Sequence, residues 1–236
     1  MSLRRRASRS TGSRTWRSRP DALTGPSWSV RSLRGSVAEL LAATDEPEHL
    51  GSGRRLVSCA PTDRGLVLGS SQPPPPAPPP GATVQRRRSG GGAVWIEPGG
   101  LSWFELILPR SDALWQDDLG RSFDWLGRVL ARALAELGHS PTVVDGPAVP
   151  GPWGRTICFA GLGPGEVLLG GRKVVGISQR RTRHWCRFGV AVLHRDPTDD
   201  VAAAFEVSEA DRRWIRDGMT TIPEAGLFDA LVGNLP

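Results

Sequence analysis

Apolar positions recur along the chain with two different periods, and the order of those periods outlines the fold. The clearest helix is predicted over Asp117–Leu137. There Leu119, Phe123, Leu126, Leu130, Ala133, Leu134 and Leu137 recur at three- and four-residue steps, and Gly138 follows as a stop signal. Shorter helices are expected over Ser36–Ala43, Asp199–Phe205, Ser208–Arg216 and Pro223–Leu231. Strand patterns lie between them: Arg55–Cys59, Gly65–Ser70, Thr83–Arg88, Ala93–Glu97, Thr156–Ala160, Gly165–Leu169, Lys173–Gln179 and Trp185–His194. Leu101–Leu108 (LSWFELIL) is apolar and β-prone and reads as a buried strand. Gly170-Gly171 is a two-residue hairpin signal, and residues 73–80 (PPPPAPPP) form a polyproline II segment that serves as a stiff connector. The succession predicts an α+β domain: a mixed, mostly antiparallel sheet with helices packed on one face.

Composition narrows the class. With 39% hydrophobic and 23% charged residues in 236, the chain has enough apolar material for a real core and the balance of a soluble globular protein. No apolar run reaches transmembrane length and no signal-peptide core is present, so the expected location is the cytoplasm, with no membrane partner. Cys59, Cys158 and Cys186 are odd in number and contain no CxxC pair, which argues against both a disulfide framework and a zinc site. His49, His139, His184 and His194 are scattered, and no dedicated metal site is expected.

The net charge of +6 invites a nucleic-acid reading until the charge is located. Arginines 4, 5, 6, 9, 14, 17 and 19 contribute +7 in the first twenty residues, where there is no acid, which leaves the remaining chain at −1. Residues 1–25 therefore read as a disordered basic tail ahead of a nearly neutral domain over residues 26–236, and nucleic acid is not an expected partner. A second fact about charge is sharper. Of the thirty basic residues only Lys173 is lysine. Most surface positions accept either residue, so a lysine kept in such a sequence marks a place where a compact ammonium serves and a planar guanidinium does not.

Two segments carry candidate chemistry. In Arg86-Arg87-Arg88-Ser89-Gly90-Gly91-Gly92-Ala93-Val94, three glycines let backbone N–H groups converge on an anion, and the arginines supply paired donors. The loop lacks the ending of a Walker A motif and does not open a helix as a dinucleotide turn would. In Gly171-Arg172-Lys173-Val174-Val175-Gly176-Ile177-Ser178-Gln179-Arg180-Arg181, strand alternation is expected to put Lys173, Val175, Ile177 and Gln179 on one face.

Together, RRRSGGGAV and the later GRKVVGISQRR resemble the two signature motifs of the lipoate–protein ligase and octanoyltransferase family. Leu68-Gly69-Ser70-Ser71-Gln72 is similar to that family's upstream LG-x-x-Q element. The resemblance spans roughly residues 28–196. It implies the catalytic fold shared by biotin and lipoate ligases, and an enzyme that attaches lipoate or octanoate to a lysine of a lipoyl-domain protein. That acceptor would be a glycine-cleavage H protein or a 2-oxoacid dehydrogenase E2. ATP and Mg2+ would be substrates, with no tightly bound cofactor. Arg87, Ser89, Gly90, Gly91, Gly92 and Val94 would line the acyl and acyl-adenylate site, with Gly176 and Ser178 beside them. Lys173 would polarise the reacting carbonyl, and Arg180 would be a second basic contact.

The sequence departs from the family pattern in places. Ile96-Glu97 stands where a His-Asp pair is usual, Gly176-Ile177-Ser178-Gln179 where Gly-Ser-Ala-Gln is frequent, and Phe188-Gly189 where a His-Gly is found. No C-terminal accessory domain is expected before Pro236. These departures leave room for a different acyl substrate. Two further readings stay open. Cys158, in a Cys-Phe segment ahead of the lysine, resembles the nucleophile of ATP-independent octanoyltransferases and amidotransferases, which would take the chain from an acyl-carrier protein as a thioester. The third reading is a non-catalytic paralogue that binds an acyl or nucleotide ligand.

Overall fold

The structure is a computed structural model that describes residues 27–45 and 53–236; the basic tail expected over residues 1–25 lies outside the described residues. Ten strands form two sheets. They are β1 (Ser29–Gly35), β2 (Arg55–Pro61), β3 (Gly65–Leu68), β4 (Thr83–Arg86), β5 (Val94–Ile96), β6 (Leu101–Pro109), β7 (Pro141–Val143), β8 (Val167–Leu169), β9 (Arg172–Arg181) and β10 (Trp185–Leu193). Seven of them make the main sheet in the order β1-β2-β6-β10-β9-β8-β7, and β4-β3-β5 make a smaller one. Only β1–β2 and β3–β4 run parallel. The parallel β3–β4 pair needs a connection that returns the length of a strand, and the proline segment supplies it, tied down where Ala77 N–H donates to Ala204 O at 3.2 Å.

The helices are α1 (Val37–Asp45), α2 (Asp124–Glu136), α3 (Thr198–Ala204), α4 (Glu209–Asp217) and α5 (Leu227–Gly233). Period-two alternation in the central strands decides which side chains meet which layer. Phe104, Leu106 and Leu108 of β6, with Phe188, Val190 and Val192 of β10, pack against Leu126, Leu130 and Leu134 of α2 and Leu227 and Leu231 of α5. The intervening residues face the smaller sheet, with α1, α3 and α4 around it. Both faces of β6 are thus covered, which is why its sequence is apolar apart from Ser102 and Glu105. The expected α+β class with a mixed, mostly antiparallel sheet is the class observed. The helices expected on one face are divided, α2 and α5 on one side and α1, α3 and α4 around the smaller sheet on the other.

Three local expectations are corrected. The helix predicted over Asp117–Leu137 begins only at Asp124. Asp118 Oδ1 accepts from the N–H groups of Gly120 and Arg121 and turns the chain, so Leu119 is left 60% exposed ahead of the helix. Thr156–Ala160 is not a strand: Ile157 forms a single bridge with Ala93, and Cys158–Ala160 close into a 3-10 turn. Finally, the pairing of β8 with β9 slips between Val167↔Val175 and Leu168↔Lys173, which inserts Val174 as a bulge. The expected face of Lys173, Val175, Ile177 and Gln179 is therefore broken, and Lys173 turns to the side of Gly176 and Ser178.

Candidate acyl-transfer site

The register of the main sheet sets out a floor. Ser178, Gly189, Glu105 and Val57 stand in one row across β9, β10, β6 and β2, and Gly176, Ala191, Trp103 and Cys59 in the next. Glycine, serine and alanine on β9 and β10 keep that part of the floor low, while Trp103 and Glu105 rise at the β6 end. Above it, Leu41 of α1, Val67 of β3, and Val94 and Ile96 of β5 complete a narrow trough of about 50 Å3. Its open end reaches Cys158, Gly176, Ser178, Arg87 and Ser89, and a wider cleft of about 320 Å3 continues past Cys158 along Gly90, Gly91 and Gly92.

Arg87 shapes the glycine loop from inside. Its guanidinium is buried and donates to Val67 O (3.2 Å), Ser89 Oγ (3.1 Å), Gly90 O (2.6 Å) and Gly92 O (2.9 Å). Burial pushes its pKa below the usual arginine value, against the upward pull of Cys158 and Glu105. With two loop carbonyls held this way, the N–H groups of Gly90, Gly91 and Gly92 donate to no protein acceptor among the described residues. These N–H groups are left unengaged, as an anion-binding nest requires. The glycines are also dictated by contact: a Cβ on Gly92 would lie 2.6 Å from Cys158 N, and one on Gly69 would lie 2.0 Å from Gly91 O. Gln72 of the upstream element fastens the assembly, accepting from Gly69 N–H at 2.7 Å and donating to Thr156 O at 2.9 Å. Ser89 Oγ bonds Ser178 Oγ at 3.1 Å and joins the two signature segments.

Lys173 is 1% exposed. Its ammonium donates to Cys158 O at 2.7 Å and Gly161 O at 2.9 Å, and pairs with Glu166 Oε2 at 2.6 Å. It also lies 5.2 Å from the centre of the Phe159 ring. The compactness that argued for a special lysine is thus used to enter a closed pocket with three acceptors. Burial pushes the Glu166 carboxyl up, and Lys173 pulls it back down. Cys158 stands in the turn that Lys173 braces, half-buried, where a Cβ on Gly176 would come within 3.2 Å of its Sγ. Cys59 and Cys186 are buried thiols that burial pushes up, Cys186 to about 12, which disfavours the reactive thiolate in both.

Arg180 stacks over Trp185 at 5.5 Å and lines an open basin of about 500 Å3 with Arg86, Arg88 and Arg181. Arg86 is engaged with Gly69 O and Gln72 O, and Arg181 with Gln116 O. Among the described residues no group of three His, Cys, Asp or Glu is placed to hold a metal ion, and no helix is long and apolar enough to cross a membrane.

A family model described as the lipoyl protein ligase A/B catalytic domain matches residues 65–226, more than half of the chain. The chain belongs to that family. It is an enzyme of the lipoyl ligase kind, and its two signature segments are those that Ser89 and Ser178 join. No curated protein matches it. Three solved structures are similar in fold. A bi-partite lipoate protein ligase from Thermoplasma acidophilum, described with its E2 lipoyl domain, has a TM-score of 0.66 at 17% identity, over 87% of this chain and 80% of that one. Lipoate-protein ligase A bound with ATP has a TM-score of 0.65 at 18% identity, over 87% and 82%. P. falciparum LipL1 in complex with lipoate has 0.56 at 14%, over 89% and 59%.

Three charged residues around the site lie outside both signature segments. Glu166 is the acid that a lone lysine in an apolar strand calls for. Glu105 and Arg187 are each the single charged residue of a central strand. A charge in a run that must be buried on both faces is the signal that could have found them.

Proposed function

We propose that residues 26–236 form a catalytic domain that activates a medium-chain acyl group, lipoate or octanoate, with ATP and transfers it to a lysine of a lipoyl-domain protein. The observation that carries this reading is the convergence of the trough's open end, the unengaged N–H groups of Gly90–Gly92 and the Lys173-braced turn on one point. The acyl carboxylate would attack the α-phosphorus of ATP and expel pyrophosphate. The acceptor's amine would then attack the acyl carbon, losing a proton as AMP leaves and the amide forms. Both steps build negative charge on oxygen, and preorganised N–H donors lower the barrier for each. Gly90–Gly92 would meet the adenylate phosphate, Arg180 and Arg88 in the basin would attract the triphosphate, and Val94 would wall the chain. Magnesium would arrive with ATP. The ATP-bound, lipoate-bound and E2-associated relatives support this choice of substrates and acceptor; an H protein would serve as well.

A second reading rests on Cys158, the half-buried thiol at the junction of trough and cleft. There the chain would first pass as a thioester from acyl-carrier protein to Sγ, and ATP would not be needed. Mass spectrometry of a lipoyl domain incubated with the enzyme and octanoate or octanoyl-carrier protein, with and without ATP, decides between them. Octanoylation that needs ATP supports the ligase, and octanoylation from the carrier alone supports the transferase. An untouched lipoyl domain under every donor would overturn both and leave an acyl-binding paralogue.

A further inference from the structure

The trough is apolar along its length but not at its end. From Gly176 on β9 to Trp103 and Glu105 on β6 is two strand spacings, roughly 10 Å, close to the reach of an extended octanoyl chain. Where the chain would finish, Trp103 Nε1 donates to Glu105 Oε1 at 2.8 Å, so the indole is spent on the carboxyl. The other oxygen, Oε2, lies 3.4 Å from Arg187 Nε as an ion-pair contact and has no hydrogen-bond partner among the described residues. The terminal nitrogens of Arg187 donate instead to Thr44 O and to Asp45 Oδ1, the latter at 2.8 Å. Glu105 itself is 4% exposed, and Gly189 leaves it open toward the trough: a Cβ there would stand 3.4 Å from the carboxyl. A buried carboxyl oxygen without a partner disfavours a methyl end beside it and favours a group that can hydrogen-bond.

We infer that the trough is built for a medium-chain acyl group with a hydroxyl at its far end, and that Glu105 is the specificity-determining residue that reads it. The inference rests on the acyl-transfer reading above and names its substrate class. A hydroxyl suits Glu105 in either protonation state, since it can donate to a carboxylate or accept from a carboxylic acid. Burial pushes this carboxyl up, against the pull of Arg187.

The test uses the full chain and two acids of equal carbon count, octanoic and 8-hydroxyoctanoic acid. Binding is followed by calorimetry with ATP and magnesium, and transfer by mass spectrometry of a lipoyl domain. Wild type is expected to prefer the hydroxy acid by about ten- to a hundredfold, the range for leaving a buried polar group unpaired. Glu105→Gln, which keeps an acceptor of the same shape, should retain most of that preference, and Glu105→Leu should reverse it. Equal or better binding of octanoic acid by wild type overturns the inference and leaves the acyl-transfer reading standing. Binding of neither acid, with the lipoyl domain untouched under every donor, overturns both. Because the wild-type ratio needs no variant, the inference stays falsifiable even if Glu105→Leu fails to fold.

Discussion

The ammonium of Lys173 and the carboxylate of Glu166 lie 2.6 Å apart, and neither side chain reaches solvent. The lysine that sequence composition singles out is therefore bound first to its own protein, through Glu166 and the turn carrying Cys158.

From this follows the behaviour of Lys173→Arg. A planar guanidinium has to enter a pocket fitted to an ammonium, and overpacking of that kind costs roughly 1–3 kcal/mol. Misplacing a charge that organises the reacting turn should slow transfer on the order of 100- to 1000-fold. Lys173→Met should be less stable still, by about 3–5 kcal/mol, because it leaves Glu166 buried without a counter-charge. Adding Glu166→Gln to Lys173→Met should recover part of that loss in denaturant melts. Near-normal turnover in the arginine variant would remove Lys173 from the mechanism.

Cys158→Ser separates the two chemistries. A ligase needs no protein nucleophile, so the serine variant should keep its ATP-dependent activity. A transferase should lose transfer from every thioester donor, and its wild type should show an octanoyl mass gain on Cys158. The change is nearly isosteric, so the melting temperature should hold in both cases, which assigns any collapse in rate to chemistry.

Gly189→Ala probes the floor of the trough. The new methyl would sit 3.1 Å from Ser178 Oγ and 3.4 Å from Glu105 Oε1, on the low part of the floor. Acyl chains that span the floor should bind about tenfold more weakly, while butanoate, which stops short of β10, should be little affected. Loss of affinity that is equal for short and long acids would show that the chain runs elsewhere.

The buried carboxyls give a pH signature. Burial raises the Glu105 and Glu166 pKa values above the ordinary 4.5, and this outweighs the downward pull of Arg187 and Lys173. A carboxyl raised in the folded state binds its proton more tightly there than in the unfolded chain. Its favourable contribution is complete below pH 4.5 and is lost as the pH climbs from there through the folded value. The stability of wild type relative to Glu105→Gln should therefore fall as pH rises from about 4 toward neutrality. A relative stability that rises over that range would mean that the ion pair with Arg187 dominates burial.

Most of the elements and both signature segments are legible in the sequence. Hydrophobic period is a local property, and it is strong where one face packs on a sheet, as in the stripe of α2, or where both faces are covered, as in β6. The glycines at 90–92 and the lone lysine were equally legible, because a missing Cβ or a retained ammonium is a chemical fact at one position. What tertiary structure alone decided is how these parts face one another. The bulge at Val174 overrides strand alternation and turns Lys173 toward Cys158; its cause is pairing with β8, which no pattern within β9 records. The turn at Cys158–Ala160 reads as a strand by composition, but its backbone is held by Ala93, and Lys173 takes its carbonyls. Trp103 and Glu105 of β6 meet Arg187 and Gly189 of β10 only because the two strands fall into register. Registers and bulges are settled by packing between residues distant in sequence, so they become readable only once the sheets have closed over the trough.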